Sequence, residues 1–166
     1  LKMSLYVVSI GFQKWASKVK LHLYRNGYGY IYHVNAKLIS YVHFKPVFEH
    51  EHYLDIVDIK KFRYALVSLR TSSHSLMIEK GRYLGIERNL RYCNFCINKV
   101  EDEYHFILVC PLYEDLRESY LPKKYFVNPT MNKFYILMSS RNELIIKGLA
   151  MFTYYAFKKR QLSFQE

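Results

Sequence analysis

Three cysteines and one histidine are the residues of this chain best placed to do chemistry. Cys93-Asn94-Phe95-Cys96 is followed by eight residues, then His105, then four residues and Cys110. This uses every cysteine in the sequence. Thiolates and imidazole are the ligands Zn²⁺ prefers, and four of them close a tetrahedral structural site. Such a site has no open position for water, so the expected cofactor is a structural Zn²⁺ and not a catalytic one. A lone C-x-x-C also fits a redox pair, but the strand–helix setting of thioredoxin-like proteins is missing here. Ordinary buried cysteines would leave His105 unexplained. Three cysteines suit a disulfide framework poorly, whereas a reduced, intracellular metal site accounts for all of them.

The spacing constrains the elements that carry these ligands. Two residues between Cys93 and Cys96 allow a tight turn that aims both thiolates at one point, with turn N–H groups free to bond the sulfurs. His105 and Cys110 must come from a second element. On a regular helix a five-residue step would rotate them about 140° apart. Pro111 disfavours helix at Cys110, so a short helix bearing His105 can end there and the chain can swing Cys110 back. Glu101, Asp102 and Glu103 stand at the front of that helix, where carboxylates suit its positive end. Phe106 and Leu108 are placed to face the core behind the metal.

The rest of the chain reads as mostly helical. Leu5, Val8, Phe12, Trp15, Val19 and Leu23 recur at helical steps, and Asn26-Gly27 is the expected stop. A second helix is expected from about Asn35 to His43, ending before Pro46. His50 and His52 flank Glu51 as solvated loop histidines. Asp58 is the expected N-cap of a helix whose buried face is Ile59, Phe62, Ala65, Leu66 and Leu69, with Arg70 largely outside it. Thr71-Ser72-Ser73 marks its end. Gly81 and Gly85 are expected to break the stretch from His74 to Leu90. Pro111 suits the first turn of a helix through Leu112, Leu116 and Tyr120. A short helix carries Phe134, Leu137 and Met138. Ser140 and Glu143 form a capping box for a last helix bearing Leu144, Ile145, Gly148, Leu149, Phe152 and Tyr155. That helix ends in Lys158-Lys159-Arg160, which suits its negative end.

The chain has 166 residues, 51% of them hydrophobic, enough for a sizeable core. Its 17 Tyr and 11 Phe are expected mainly to fill that core and its rim. Leu5 to Ile10 is too short to span a bilayer and lacks a cleavage site, so neither signal peptide nor membrane helix is expected. The net charge of +11 points to an anionic partner, nucleic acid first and an acidic membrane surface second. The charge is uneven. Lys60 to Arg91 holds eight Lys or Arg against two Glu, and Glu101 to Glu118 holds six acids against one Arg. A phosphate backbone, of RNA or DNA, is expected on Arg63, Arg70, Lys80, Arg82, Arg88 and Arg91, with Tyr83 and Tyr92 able to stack on bases. No recognition-helix motif suggests sequence-specific reading. Ser72, Ser73 and His74 are adjacent, but a nucleophile and its base must converge in space, which sequence neighbours rarely do. No enzyme activity is expected.

Arg91-Tyr92-Cys93-Asn94-Phe95-Cys96, then Val100-Glu101-Asp102-Glu103-Tyr104-His105-Phe106, then Cys110-Pro111-Leu112-Tyr113 resembles the zinc-binding domain at the C-terminal end of non-LTR retrotransposon reverse transcriptases, with the nearest likeness to animal retroelement-derived sequences. Trp15-Ala16-Ser17, Arg70 to His74 and Ile78 to Arg82 share in the likeness, though the specific part is the Cys/His pattern with its Glu-Asp-Glu. The segment from Gly29 to Tyr53 is shorter than the family's, and no Tyr-x-Asp-Asp pair is present; Asp55 and Asp58 do not make one. The resemblance implies a piece of a retroelement polyprotein that helps hold template RNA or target DNA without polymerase activity of its own. The expected fold is mainly α, a helical domain with a small CCHC zinc knuckle. Its expected parts are residues 1–90 with the basic stretch, the knuckle at 91–113, and C-terminal helices over 114–166. The expected setting is intracellular, nuclear or cytoplasmic. The alternative function is a structural or protein-interaction domain stabilised by zinc.

Overall fold

The computed structural model describes residues 39–45 and 50–163. The helix expected over Leu5 to Leu23, its stop at Asn26-Gly27, and the beginning of the second expected helix lie outside them. The described helices are α1 (Ile39–Phe44), α2 (Tyr53–Ile56), α3 (Lys60–Arg70), α4 (Met77–Tyr83), α5 (Glu114–Tyr120), α6 (Lys123–Phe126), α7 (Met131–Met138) and α8 (Glu143–Leu162). A π-helical turn, His105–Val109, and the 3₁₀ turns Arg88–Leu90 and Pro111–Tyr113 complete them. The chain is mainly helical, and among the described residues extended pairing is confined to one antiparallel bridge, Tyr92 to Val100. None of these helices is long and apolar enough to cross a membrane.

The 20-residue helix α8 is the axis on which α2, α3 and α5 pack. Its buried stripe is Ile146, Leu149, Ala150, Phe152, Thr153, Ala156 and Arg160. The Thr153 hydroxyl is satisfied by donating to the Leu149 carbonyl at 2.7 Å. Helix α3 meets this stripe with Phe62, Leu66 and Leu69, the expected face, and ends at Thr71 as expected. Gly148 marks the closest approach. A Cβ there would stand 2.3 Å from the Tyr120 carbonyl oxygen, so α8 and the end of α5 touch backbone to backbone. Phe106, on the π turn, sits in an aromatic nest with Tyr113 at 4.8 Å, Phe157 at 4.9 Å and Phe152 at 6.0 Å.

Several local expectations give way to packing. Helix α3 starts at Lys60 with Ile59 in the cap position and no side-chain cap, so Asp58 is not its N-cap. Burial of Val57 just before it sets the chain's entry instead, and Ile59 is exposed. Gly81 lies inside α4 and does not break it; a Cβ there would meet Arg91 Cγ at 2.7 Å, so its smallness admits the Arg91 side chain. Gly85 does end the segment, in left-handed backbone at φ +70°. The cap of α8 is Asn142, whose side chain accepts from the Ile145 amide at 3.1 Å, two residues after the expected Ser140. Leu144 is 80% exposed and Ile146 is buried in its place. Helix α8 is apolar on most sides, so periodicity could not select its inner face.

Gly148→Ala adds a methyl where two backbones touch. Although Ala is the better helix former, the variant is expected to lose about 1–3 kcal/mol of stability, read by chemical denaturation.

Candidate metal centre

Residues 91–101 fold back on themselves to present the first two ligands. The Cys93 amide donates to the Lys99 carbonyl at 2.7 Å and the Glu101 amide to the Arg91 carbonyl at 2.9 Å. Asn98 takes the turn in left-handed backbone, φ +56°, a conformation Asn tolerates. The Phe95 amide bonds the Cys93 sulfur, as the spacing predicts.

The other two ligands come from the π turn. Asp102 accepts from the His105 amide at 2.8 Å and so starts the turn. The Cys110 amide then donates to the His105 carbonyl at 2.8 Å, a bond spanning five residues. A π turn therefore supplies what an α-helix cannot, with His105 and Cys110 at one end of the same wide loop. Cys110 itself is extended, φ −60° and ψ 122°, as Pro111 after it requires. The Leu112 amide bonds the Cys110 sulfur.

The four ligand atoms lie within 4.8 Å of one another. Cys110 Sγ is 3.7 Å from Cys96 Sγ and 4.0 Å from Cys93 Sγ. Cys93, His105 and Cys110 are buried and Cys96 is half-buried. His105 Nε2 is buried with no hydrogen-bond partner among the described residues, which a metal would provide. Three thiols this close do not ionise together unaided. The hydrogen bond from Cys110 pulls the Cys93 thiol down and pushes Cys110 itself up, while burial raises Cys96. A cation among them removes this conflict. The residues brought together are those of a site that can hold a metal ion.

The three acids before His105 do three different things. Only Asp102 touches the start of the turn. Glu101 is buried and forms a two-pronged pair with Arg160 of α8, Nε to Oε1 and Nη2 to Oε2, both at 2.7 Å. It also accepts from the Met77 amide at 2.7 Å, which ties in α4. Arg160 is thus a core residue and not a solvated charge at the end of a helix. Glu103 is buried against the turn after α3, accepting from Ser72 Oγ at 3.2 Å and Ser40 Oγ at 3.1 Å, with His74 Nε2 at 3.1 Å.

The six basic residues predicted to meet phosphate separate in the structure. Arg70 and Arg91 are buried cations and not phosphate contacts. Arg70 pairs with Glu51 at 3.2 Å, donates to the Met138 carbonyl, and lies under the rings of Phe44 and Tyr53. Arg91 donates to the carbonyls of Ile86 at 2.9 Å and Ile78 at 2.8 Å. Arg63 reaches back to the carbonyls of Leu54 and Val57 at 3.4 and 3.3 Å. Lys80 is exposed and Arg88 half-buried. Arg82 pairs with Glu79 at 2.9 Å and lies 4.4 Å over the ring of Tyr83. His50 and His52 are exposed, with His50 Nε2 2.6 Å from Asp55 Oδ2. Sequence reasoning missed Arg160 and Arg117 as supports of the centre. Their partners are remote in sequence or backbone carbonyls, and no local pattern announces either.

Burial alone would push the Glu103 carboxyl up. The hydrogen bond and charge of His74, with Ser40, outweigh it and hold the group below the usual carboxylate value. A carboxylate held low lends stability above its unfolded pKa and loses it as pH falls through the lowered value. Stability should therefore drop as the pH falls below about 4, and Glu103→Gln should be less stable at neutral pH with a flatter acid limb, read by denaturation at each pH. Compared with protein-family models, with curated proteins and with solved structures, the chain matches none of them.

Proposed function

We propose that this chain is a nucleic-acid-binding module organised by a structural zinc ion, derived from the C-terminal region of a retroelement reverse transcriptase and without polymerase activity of its own. Zinc is favoured by the ligand set and by its geometry. A Zn–S bond of about 2.3 Å gives a tetrahedral S···S edge of about 3.8 Å, and the edges from Cys110 are 3.7 and 4.0 Å. Cys93, Cys96, His105 and Cys110 would hold the ion, which joins the 91–101 loop to the π turn and so ties the CCHC knuckle to the helical core. All four positions are taken, so the ion supplies cohesion and not a reactive water. In small domains such binding contributes roughly 10–16 kcal/mol.

The observation that carries nucleic-acid binding is the Arg82–Tyr83 platform. The Tyr83 residue is 72% exposed, with the Arg82 guanidinium 4.4 Å from its ring centroid. A base can stack on the open ring, which Arg82, itself paired with Glu79, steadies from one side, leaving Lys80 and Arg88 to attract the backbone. Exposed Lys80, half-buried Arg88 and exposed Tyr92 lie on the same stretch leading into the metal loop. A protein-interaction domain is the second reading, favoured by the exposed apolar side chains of Leu84 at 63% and Ile97 at 89%.

Zinc analysis should give one ion per chain, abolished in Cys96→Ser and in His105→Ala; a purified chain without metal overturns the zinc reading. Binding of the metal-loaded chain to single-stranded RNA or DNA should weaken steeply with salt. Lys80→Ala with Arg88→Ala should lower the salt slope by about 0.7 for each phosphate that is no longer neutralised, and Tyr83→Ala should cost about 1–3 kcal/mol. Absent or salt-independent binding removes this reading. Protein partners that survive nuclease treatment would then favour the second.

A further inference from the structure

A tetrahedral centre of three thiolates, one neutral imidazole and a divalent ion carries an excess negative charge. Here it is largely buried, and a buried charge is costly unless another balances it. The buried guanidiniums near it differ in how they are matched. Arg160 has the Glu101 carboxylate. Arg70 has Glu51, and Arg91, two residues before Cys93, is taken up by the carbonyls of Ile86 and Ile78. Arg117 is 4% exposed, and no carboxylate among the described residues pairs with it. Its Nη2 donates at 2.8 Å to the carbonyl of Cys110, one of the candidate ligands, and its Nη1 is buried with no hydrogen-bond partner among the described residues. An orphaned cation and an over-negative cluster therefore share one ligand residue.

We propose that Arg117 is the counter-ion of the metal centre, and that its charge helps set the affinity of the Cys93, Cys96, His105 and Cys110 site for a divalent ion. The inference rests on the zinc reading above. Of the two acids at the start of its own helix, Asp115 pairs with Lys159, and the Arg117 guanidinium turns to Cys110. The hydrogen bond to the Cys110 carbonyl holds it there. That bond goes to the backbone of a ligand residue and not to its sulfur, so the role of Arg117 is to position charge and not to coordinate.

The test is zinc affinity of the full chain, by competition with a chromophoric chelator, for Arg117→Lys, Arg117→Gln and Arg117→Met. Lys keeps the charge, Gln keeps a donor for the carbonyl without charge, and Met keeps bulk alone. The expected result is a loss of roughly 10–100-fold for Gln and for Met, with Lys close to the unaltered chain. Wild-type affinity in the Gln variant overturns the proposal, because the hydrogen bond alone would then suffice. An equal loss in the Lys variant overturns it in favour of packing. Should the Met variant fail to fold, Gln against Lys decides. A second arm uses Cys96→His, whose zinc set of two thiolates and two imidazoles is neutral. There the Gln penalty should shrink to a few-fold at most, and an unchanged penalty overturns the proposal. If the unaltered chain takes up no zinc, it is the zinc reading that fails, and that result is distinct from all of these.

Discussion

The amide of Cys110 donates to the carbonyl of His105 across five residues, and the centre depends on that one wide turn. With ordinary helical bonds the imidazole and the thiol would point well apart, by about 140°. With the π turn, and with Cys110 extended ahead of Pro111, both reach the pair of thiols offered by the 91–101 loop. The turn is stable because its own side chains are deep in the core. Phe106 and Ile107 are fully buried and Leu108 nearly so, so unwinding it would expose three large apolar groups at about 1.5–3 kcal/mol each.

The acids before the turn distribute that geometry through the molecule. Asp102 caps the turn, Glu101 fastens it to α8 and α4, and Glu103 fastens it to the end of α3. Buried ion pairs of this kind add little net stability over apolar residues of the same shape, but breaking one strands a charge and costs several kcal/mol. Their effect here is to specify arrangement. Leu66, Phe106 and Phe152, from the three segments expected along the chain, meet in one core, and the carboxylates select how they meet.

Arginine has two roles in the molecule. Arg70, Arg91, Arg117 and Arg160 are buried and hold backbone carbonyls or carboxylates in place. Guanidinium suits this because its planar fork serves several acceptors at once and is weakly hydrated. Lys80, Arg82 and Arg88 remain at or near the surface, with Arg82 over the exposed ring of Tyr83. The positive stretch from Lys60 to Arg91 is thus partly internal scaffold, and its outward charge divides between Lys60 and Lys61 at the start of α3 and the residues from Lys80 to Arg88.

The Cys/His cluster that could hold a metal was legible in the sequence because such a site is written in residue types and short spacings. Cys93, Cys96, His105 and Cys110 do converge, and the proline effect at Cys110 was equally local. The mainly helical character and the buried faces of α3 and α7 followed from periodicity, which records burial wherever one side of a helix is polar. Three things were decided only by tertiary structure. The start of α3 has no side-chain cap at all and is set by the buried Val57 before it, while α8 takes Asn142, an equally good cap, in place of Ser140. The inner face of α8 was unreadable because most of its sides are apolar. The division of the arginines into scaffold and surface rests on partners such as Met138 for Arg70 and Glu101 for Arg160. A positive charge reads the same in a sequence whether it meets solvent or a buried carboxylate, and only folding brings the carboxylate.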